Sequence, residues 1–203
     1  MKRSHVVQDR DGWETLSSET HFANSHVDLV IEEVRTPARS RPRKWTIAHR
    51  KAAVVIAPMT RDGKLILIQQ ERIPIRQKIW EVPAGQIDGI VDPTLTEIEA
   101  VALREMHEET GFELSPGGEL ISLGHYFSSP GFTDERGHLF LARPVQKSAS
   151  GHAHDESESI LDCRSFSAQE LSRMIAENEI RDANTLSICA RLAAHGFLSL
   201  DLH

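Results

Sequence analysis

Apolar residues are distributed along this chain in short blocks, and most of the blocks read as strands. Val27 to Val34 (V-D-L-V-I-E-E-V) mixes alternation with β-branched residues and predicts a strand. Ala52 to Ala57 (A-A-V-V-I-A) is nearly continuous, as expected for a strand buried on both faces. Lys64 to Gln70 follows across a turn at Arg61-Asp62-Gly63 and completes a hairpin. Lys78 to Val82 predicts a short strand ending in Pro83-Ala84-Gly85, and Leu120 to Tyr126, His138 to Ala142 and Ile160 to Phe166 predict three more. Between them, Ser128 to Gly137 is too rich in proline, glycine and acids for a core, and Ser148 to Ser159 reads as a polar loop.

Helical signals are fewer. Asp92-Pro93 offers one helix start, and Thr96 with Glu99 offers a competing capping box. Either way the helix carries Ile98, Val101 and Ala102 inward, reaches Thr110 and stops at Gly111. Ser167 to Glu170 is a second capping box, opening a helix to about Glu177, and Asp182 caps a last helix ending near Gly196. Residues 1 to 25 are polar and are expected to begin loosely. Strands alternating with two or three helices predict an α/β or α+β fold with a mixed sheet flanked by helices.

Composition narrows the class. A chain of 203 residues is enough for one domain of ordinary size with an appendage. The boundary falls near residue 50: an antiparallel strand region over 1–50, and the main domain over 51–203. An apolar fraction of 39% with 26% charged residues is that of a soluble globular protein. Net charge of −7 argues against nucleic acid as a partner. The first residues lack an apolar run, no stretch has transmembrane length, and only two isolated cysteines occur. Those features predict a cytoplasmic protein with no membrane partner. Arg35 to Lys51 holds seven basic residues and no acidic one, interrupted by Pro37 and Pro42. We read a hairpin loop there, then a strand from Trp45 to His49, with one or two arginines available to a phosphorylated ligand.

The chemistry concentrates in Leu103 to Phe112, L-R-E-M-H-E-E-T-G-F. On a helix, Glu105, Glu108 and Glu109 share one face, where like charges repel by a few tenths of a kcal/mol per pair. A hard divalent cation held by carboxylate oxygens is the candidate to offset that repulsion, with Arg104 placed to relieve part of it; a solvated acidic helix face is the alternative reading.

This stretch resembles the second half of the Nudix box, G-x5-E-x7-R-E-U-x-E-E-x-G-U, with Arg104, Glu105, Met106, Glu108, Glu109, Gly111 and Phe112 all matching. W-E-V-P-A-G (Trp80 to Gly85), S-P-G-F-T-D-E (Ser129 to Glu135) and N-E-I-R-D-A-N-T (Asn178 to Thr185) resemble the ADP-ribose pyrophosphatase branch of the Nudix hydrolases. W-E-T-L-S-S-E (Trp13 to Glu19) and V-R-T-P (Val34 to Pro37) fit the same branch, so the likeness spans about residues 13 to 197.

The resemblance implies a Nudix fold and a site that binds Mg²⁺ or Mn²⁺ through Glu105, Glu108 and Glu109, with the backbone carbonyl of Ala84. Arg104 is implied as the partner that holds these glutamates, and it stands with Glu108 and Glu135 as the catalytic set. Glu135 matches an acidic residue on a mobile loop that serves as general base or metal-bridging ligand, with Asp134 as its fallback. Arg72 matches a position that contacts the diphosphate. Glu81 matches one whose role is either ligand contact or packing. Glu156 or Glu158 offers a weaker carboxylate from the late loop, while His107, His125 and His138 are read as structural or exposed.

Two spacings depart from the family pattern. Gly85 precedes Arg104 by nineteen residues where the box has fourteen, and Thr96 stands where the first box glutamate belongs. Glu97, seven residues before Arg104, is expected to take over that structural role. Leu114 to Gly118 (L-S-P-G-G) also lengthens the stretch after the box. The implied function is metal-dependent hydrolysis of ADP-ribose, or a related nucleoside diphosphate sugar, by a homodimer joined through its N-terminal strands. The alternative is a sensor that binds ADP-ribose without splitting it.

Overall fold

The computed structural model describes residues 8–88, 92–149 and 159–200. Two compact units make up the chain. One comprises Met1–Ala53, Gln86–Asp92 and Phe127–Gly137; the other comprises Val54–Gly85, Pro93–Tyr126 and His138–His203.

The first unit contains an antiparallel sheet in the order β1 (Glu14–Ala23), β2 (Val27–Thr36), β3 (Arg39–Arg50). Strand β1 corrects the expectation of a loose start. Its sequence, E-T-L-S-S-E-T-H-F-A, has no apolar alternation to announce it, and nearly every residue is exposed. Backbone pairing with β2 holds it, helped by the Arg35–Glu14 ion pair. Asn24 Oδ1 accepts the N–H groups of His26 and Val27 and turns the chain between the two strands. Strand β3 begins six residues earlier than expected, because Pro42 does not end it. The pairs Val34↔Arg43 and Thr36↔Arg39 bracket an irregularity that contains Pro42, where a missing donor disturbs no ladder bond.

The second unit is built on a seven-stranded sheet. Its strands are β4 (Ala53–Thr60), β5 (Leu65–Arg72), β6 (Gln77–Glu81), β7 (Ala84–Gln86), β8 (Phe112–Phe127), β9 (Arg136–Lys147) and β10 (Ile160–Phe166). The path is β10-β5-β4-β9-β8, with β6 on β5 and β7 on β4. As its apolar run predicts, β4 is buried throughout its centre, with Val54 to Ala57 fully covered. Leu65 and Leu67 join a core with Leu171 and Met174 of α2 (Ala168–Ala176) and Ile188, Cys189 and Leu192 of α3 (Ala183–Ala194). Ile66 and Ile68 point to the other face by strand alternation, and α1 (Leu95–Thr110) packs against β5. The class is α+β, with a central mixed sheet flanked by helices.

Two local expectations are corrected. Helix α1 starts at neither proposed cap: Thr94 is the N-cap and Glu97 closes a capping box with it. Asp92 adopts φ +50°, which a helix N-cap does not take. The strand expected from Leu120 begins eight residues earlier, at Phe112, and takes in Leu114 to Gly118, with Gly117 at φ +75°.

Candidate active site

The buried face of α1 begins as an ordinary apolar stripe and ends as an acidic one. Ile98, Ala102 and Met106 face inward, and Glu105 and Glu109 continue the same face, only 7% and 1% exposed. A buried carboxylate is unfavourable unless hydrogen-bonded or paired with a cation. Here both kinds of partner are present. Ala84 N donates to Glu109 Oε2 at 2.9 Å, and Arg104 Nη2 donates to Glu105 Oε1 at 2.7 Å. The other arm of Arg104, Nη1, meets Glu108 Oε2 at 2.9 Å, one turn on. One guanidinium therefore spans two of the three box glutamates. Gly111, at φ +70°, ends the helix, and its N–H donates to His107 O at 2.8 Å.

The Pro83-Ala84-Gly85 backbone lies against this carboxylate face. A Cβ on Gly85 would fall 2.0 Å from Glu105 Cδ and 2.3 Å from its Oε2, so only glycine leaves room for the carboxylate. Pro83 O accepts Ile56 N at 3.0 Å, which ties the segment to β4. Val82 N donates to Thr185 Oγ1 at 3.0 Å, and Asp182, the N-cap of α3, accepts from both the N–H and hydroxyl of Thr185 at 2.8 Å. The motifs W-E-V-P-A-G and N-E-I-R-D-A-N-T, 103 residues apart at this bond, are thus joined directly.

Arg72 and Glu81 form a forked ion pair. Nε donates to Oε1 at 2.9 Å and Nη2 to Oε2 at 2.8 Å. Burial raises the Glu81 carboxyl above its usual range, and Arg72 recovers only part of that. Burial also works against the charge on Arg72, but Glu81, Asp182 and Glu109 outweigh it and hold the guanidinium protonated. Glu81 is thus a buried carboxylate paired with Arg72.

Glu135 and Asp134 belong to the other unit, where their neighbours differ sharply. Asp134 is anchored: it accepts His49 Nδ1 at 2.8 Å and Arg50 N at 3.0 Å, and its side chain is only 9% exposed. His49 Nε2 lies 3.5 Å from Glu32 Oε1 on the opposite side. Burial alone would lower the His49 pKa, but Asp134, by hydrogen bond and charge, and Glu32 together raise it above its ordinary value. Asp134 is thus fastened to the end of β3 by two hydrogen bonds. The Glu135 carboxylate meets Arg50 Nε at 3.1 Å and Ser128 Oγ at 2.7 Å.

Glu97 does not take over a role beside Arg104. Its carboxylate accepts both Thr94 N and Thr94 Oγ1 at 2.8 Å at the far end of α1. Glu156 and Glu158 lie outside the described residues, as does part of the lengthened segment at 89–91. His49 and Arg50 were missed because they sit in a basic run that reads as solvated surface. Ala48, just ahead of them within that run, is the buried residue of the strand end.

The donor set suits a hard divalent cation: two buried carboxylates, a third one turn away and a backbone carbonyl at Ala84, all oxygen. Among the described residues no three His, Cys, Asp or Glu side chains close into a ready-made metal group. Arg104 occupies that part of the face, supplying the positive charge between Glu105 and Glu108.

Comparison with known proteins identifies the family. The NUDIX domain model matches residues 48–187. A protein of Bacillus methanolicus named methanol dehydrogenase activator is 33% identical over 172 residues, 85% of this chain and 88% of its own. An ADP-ribose pyrophosphatase of Bacillus subtilis is 30% identical over 171 residues, 84% of this chain and 87% of its own. In fold, a solved structure described as an ADP compounds hydrolase superposes with a TM-score of 0.71 at 18% identity, covering 95% of this chain and all of that one. The chain belongs to the NUDIX family and is a Nudix hydrolase.

Proposed function

We propose that this enzyme hydrolyses the diphosphate of ADP-ribose, giving AMP and ribose 5-phosphate, with related nucleoside diphosphate sugars as the nearest alternative substrates. The observation that carries the proposal is the pair of buried carboxylates, Glu105 and Glu109, set against the Pro83–Gly85 backbone. Buried acids in that arrangement are retained for a cation rather than for folding.

Glu105, Glu108, Glu109 and the Ala84 carbonyl would hold Mg²⁺ or Mn²⁺, which polarises phosphoryl oxygens and lowers the pKa of water. Arg104 keeps the glutamates from repelling one another and sets their orientation. Arg72 presents a planar fork to the diphosphate, and Glu81 limits the directions in which that fork can point. Glu135 takes the proton from the attacking water, while Asp134 holds its loop. Catalysis of this kind is mainly positioning and neutralisation of charge.

The exposed sheet β1–β2–β3 supports a homodimer. Leu16, Phe22 and Trp45 are 40%, 53% and 57% exposed, which is large apolar area for one small sheet. The unpaired cysteines Cys163 and Cys189 suit a reducing cytoplasm.

Product analysis with ADP-ribose and a panel of nucleotide sugars, with and without Mg²⁺ or Mn²⁺, tests the substrate. Metal-dependent AMP release strongest with ADP-ribose supports it. Preference for another sugar moves the substrate and keeps the chemistry, whereas tight binding without turnover replaces the enzyme by a sensor.

A further inference from the structure

The loop that carries Glu135 is fastened along β3. Ala48 N donates to Phe132 O at 2.9 Å, and Ala48 and Thr133 form a parallel bridge. Trp45 Nε1 donates to Gly131 O at 2.9 Å, and Asp134 is held by His49 and the Arg50 amide. This stitching fixes the backbone of the loop. It does not by itself fix a glutamate side chain, which retains several rotamers at a half-buried loop position.

Both Glu135 carboxylate oxygens have their own partners. Arg50 Nε lies 3.1 Å from Oε1, and Ser128 Oγ donates to Oε2 at 2.7 Å. The Glu135 N–H donates to Thr133 Oγ1 at 3.1 Å, and its carbonyl accepts Ser128 N at 3.3 Å. Arg50 is itself held, since its own amide donates to Asp134 Oδ1 at 3.0 Å. The partner of the carboxylate and the anchor of the loop are thus one residue.

We propose that Arg50 is a positioning residue which, together with Ser128, sets the orientation of the Glu135 carboxylate for proton abstraction. The inference rests on Glu135 being the general base. Arg50 acts through Glu135 and needs no contact with substrate. A charge-assisted bond to one oxygen and a hydroxyl bond to the other confine the carboxylate to one plane and leave its remaining lone pairs for water. Misplacement of a base by an ångström is enough to slow proton transfer heavily.

Steady-state kinetics with ADP-ribose and Mg²⁺ on wild type, Arg50→Ala, Arg50→Lys, Ser128→Ala, Glu135→Gln and the Arg50→Ala/Glu135→Gln double variant test this, with thermal unfolding of each. In Arg50→Ala, kcat falls about tenfold or more while KM changes less than about twofold, and the midpoint of unfolding stays within about 2 °C. Arg50→Lys recovers part of the loss. In the Glu135→Gln background, removing Arg50 lowers kcat no further, because the group it positions is gone. Unchanged kcat in Arg50→Ala overturns the inference and leaves Glu135 as base. Losses that multiply in the double variant overturn it as well, since Arg50 then acts apart from Glu135. A Glu135→Gln enzyme as active as wild type removes the base assignment and the inference with it. Should Arg50→Ala fail to fold, Ser128→Ala carries the same cycle with the loss of one hydroxyl.

Discussion

Glu105 places its carboxylate where a side chain on residue 85 would have to be: an added Cβ falls 2.0 Å from Glu105 Cδ. The crowding involves the far end of a flexible side chain, so the protein can yield without disturbing its core. Function is then affected more than stability. In Gly85→Ala, stability falls by less than about 1 kcal/mol while activity falls about 100-fold, because the carboxylate is pushed off its position. Chemical denaturation and kcat/KM on the same preparation check the split. A loss confined to stability contradicts it.

The Arg72–Glu81 pair is asymmetric, with side-chain exposures of 39% and 2%. Removing Glu81 leaves an arginine that reaches water; removing Arg72 leaves a carboxylate that does not. Arg72→Met therefore destabilises by roughly 3 kcal/mol and Glu81→Met by roughly 1 kcal/mol. Urea unfolding decides the order. Both variants also raise KM for a diphosphate substrate, since the fork is absent in one and unaimed in the other.

Arg104 links Glu105 to Glu108, so its loss acts through the glutamates rather than on the substrate. Arg104→Ala raises the Mg²⁺ concentration needed for half-maximal activity by about 10- to 100-fold, and KM measured at saturating metal moves little. A metal titration of activity separates this from a general fall in kcat.

His49 gives the pH dependence. Its pKa is raised in the folded chain: burial opposes the charge, but Asp134 and then Glu32 prevail. The folded state thus binds the proton more tightly than the unfolded state. The resulting stability is fully present below the ordinary histidine value of 6.5 and is lost as pH rises through the folded pKa. Urea midpoints measured from pH 6 to 9 decline in wild type, and His49→Gln flattens that decline. A steeper decline in the variant would reverse the sign.

Much of the second unit was legible because its strands are apolar blocks and its helices carry caps. Val54 to Ala57 could hardly be anything but a buried strand, and Ser167 and Asp182 mark α2 and α3 as written. Helix α1 was legible in its acidic half and misread at its start, since Thr94–Glu97 and Thr96–Glu99 both spell a capping box and the chain uses the first. Strand β1 has no apolar alternation in the sequence: nearly all its side chains are exposed, and pairing to β2 with the Arg35–Glu14 ion pair defines it. The box glutamates stood out by spacing. The partners of Glu135 did not, because Arg50 lies 85 positions away in a basic run, and no local pattern links the two.

Activity of the Glu105→Gln/Glu109→Gln double variant toward ADP-ribose in Mg²⁺ tests the central claim most directly. Both substitutions keep shape and remove charge from the buried face of α1. The account predicts a folded protein that releases AMP at least about 1,000-fold more slowly than wild type, with added Mn²⁺ restoring little. Hydrolysis at the wild-type rate would contradict it and move the metal site away from these carboxylates.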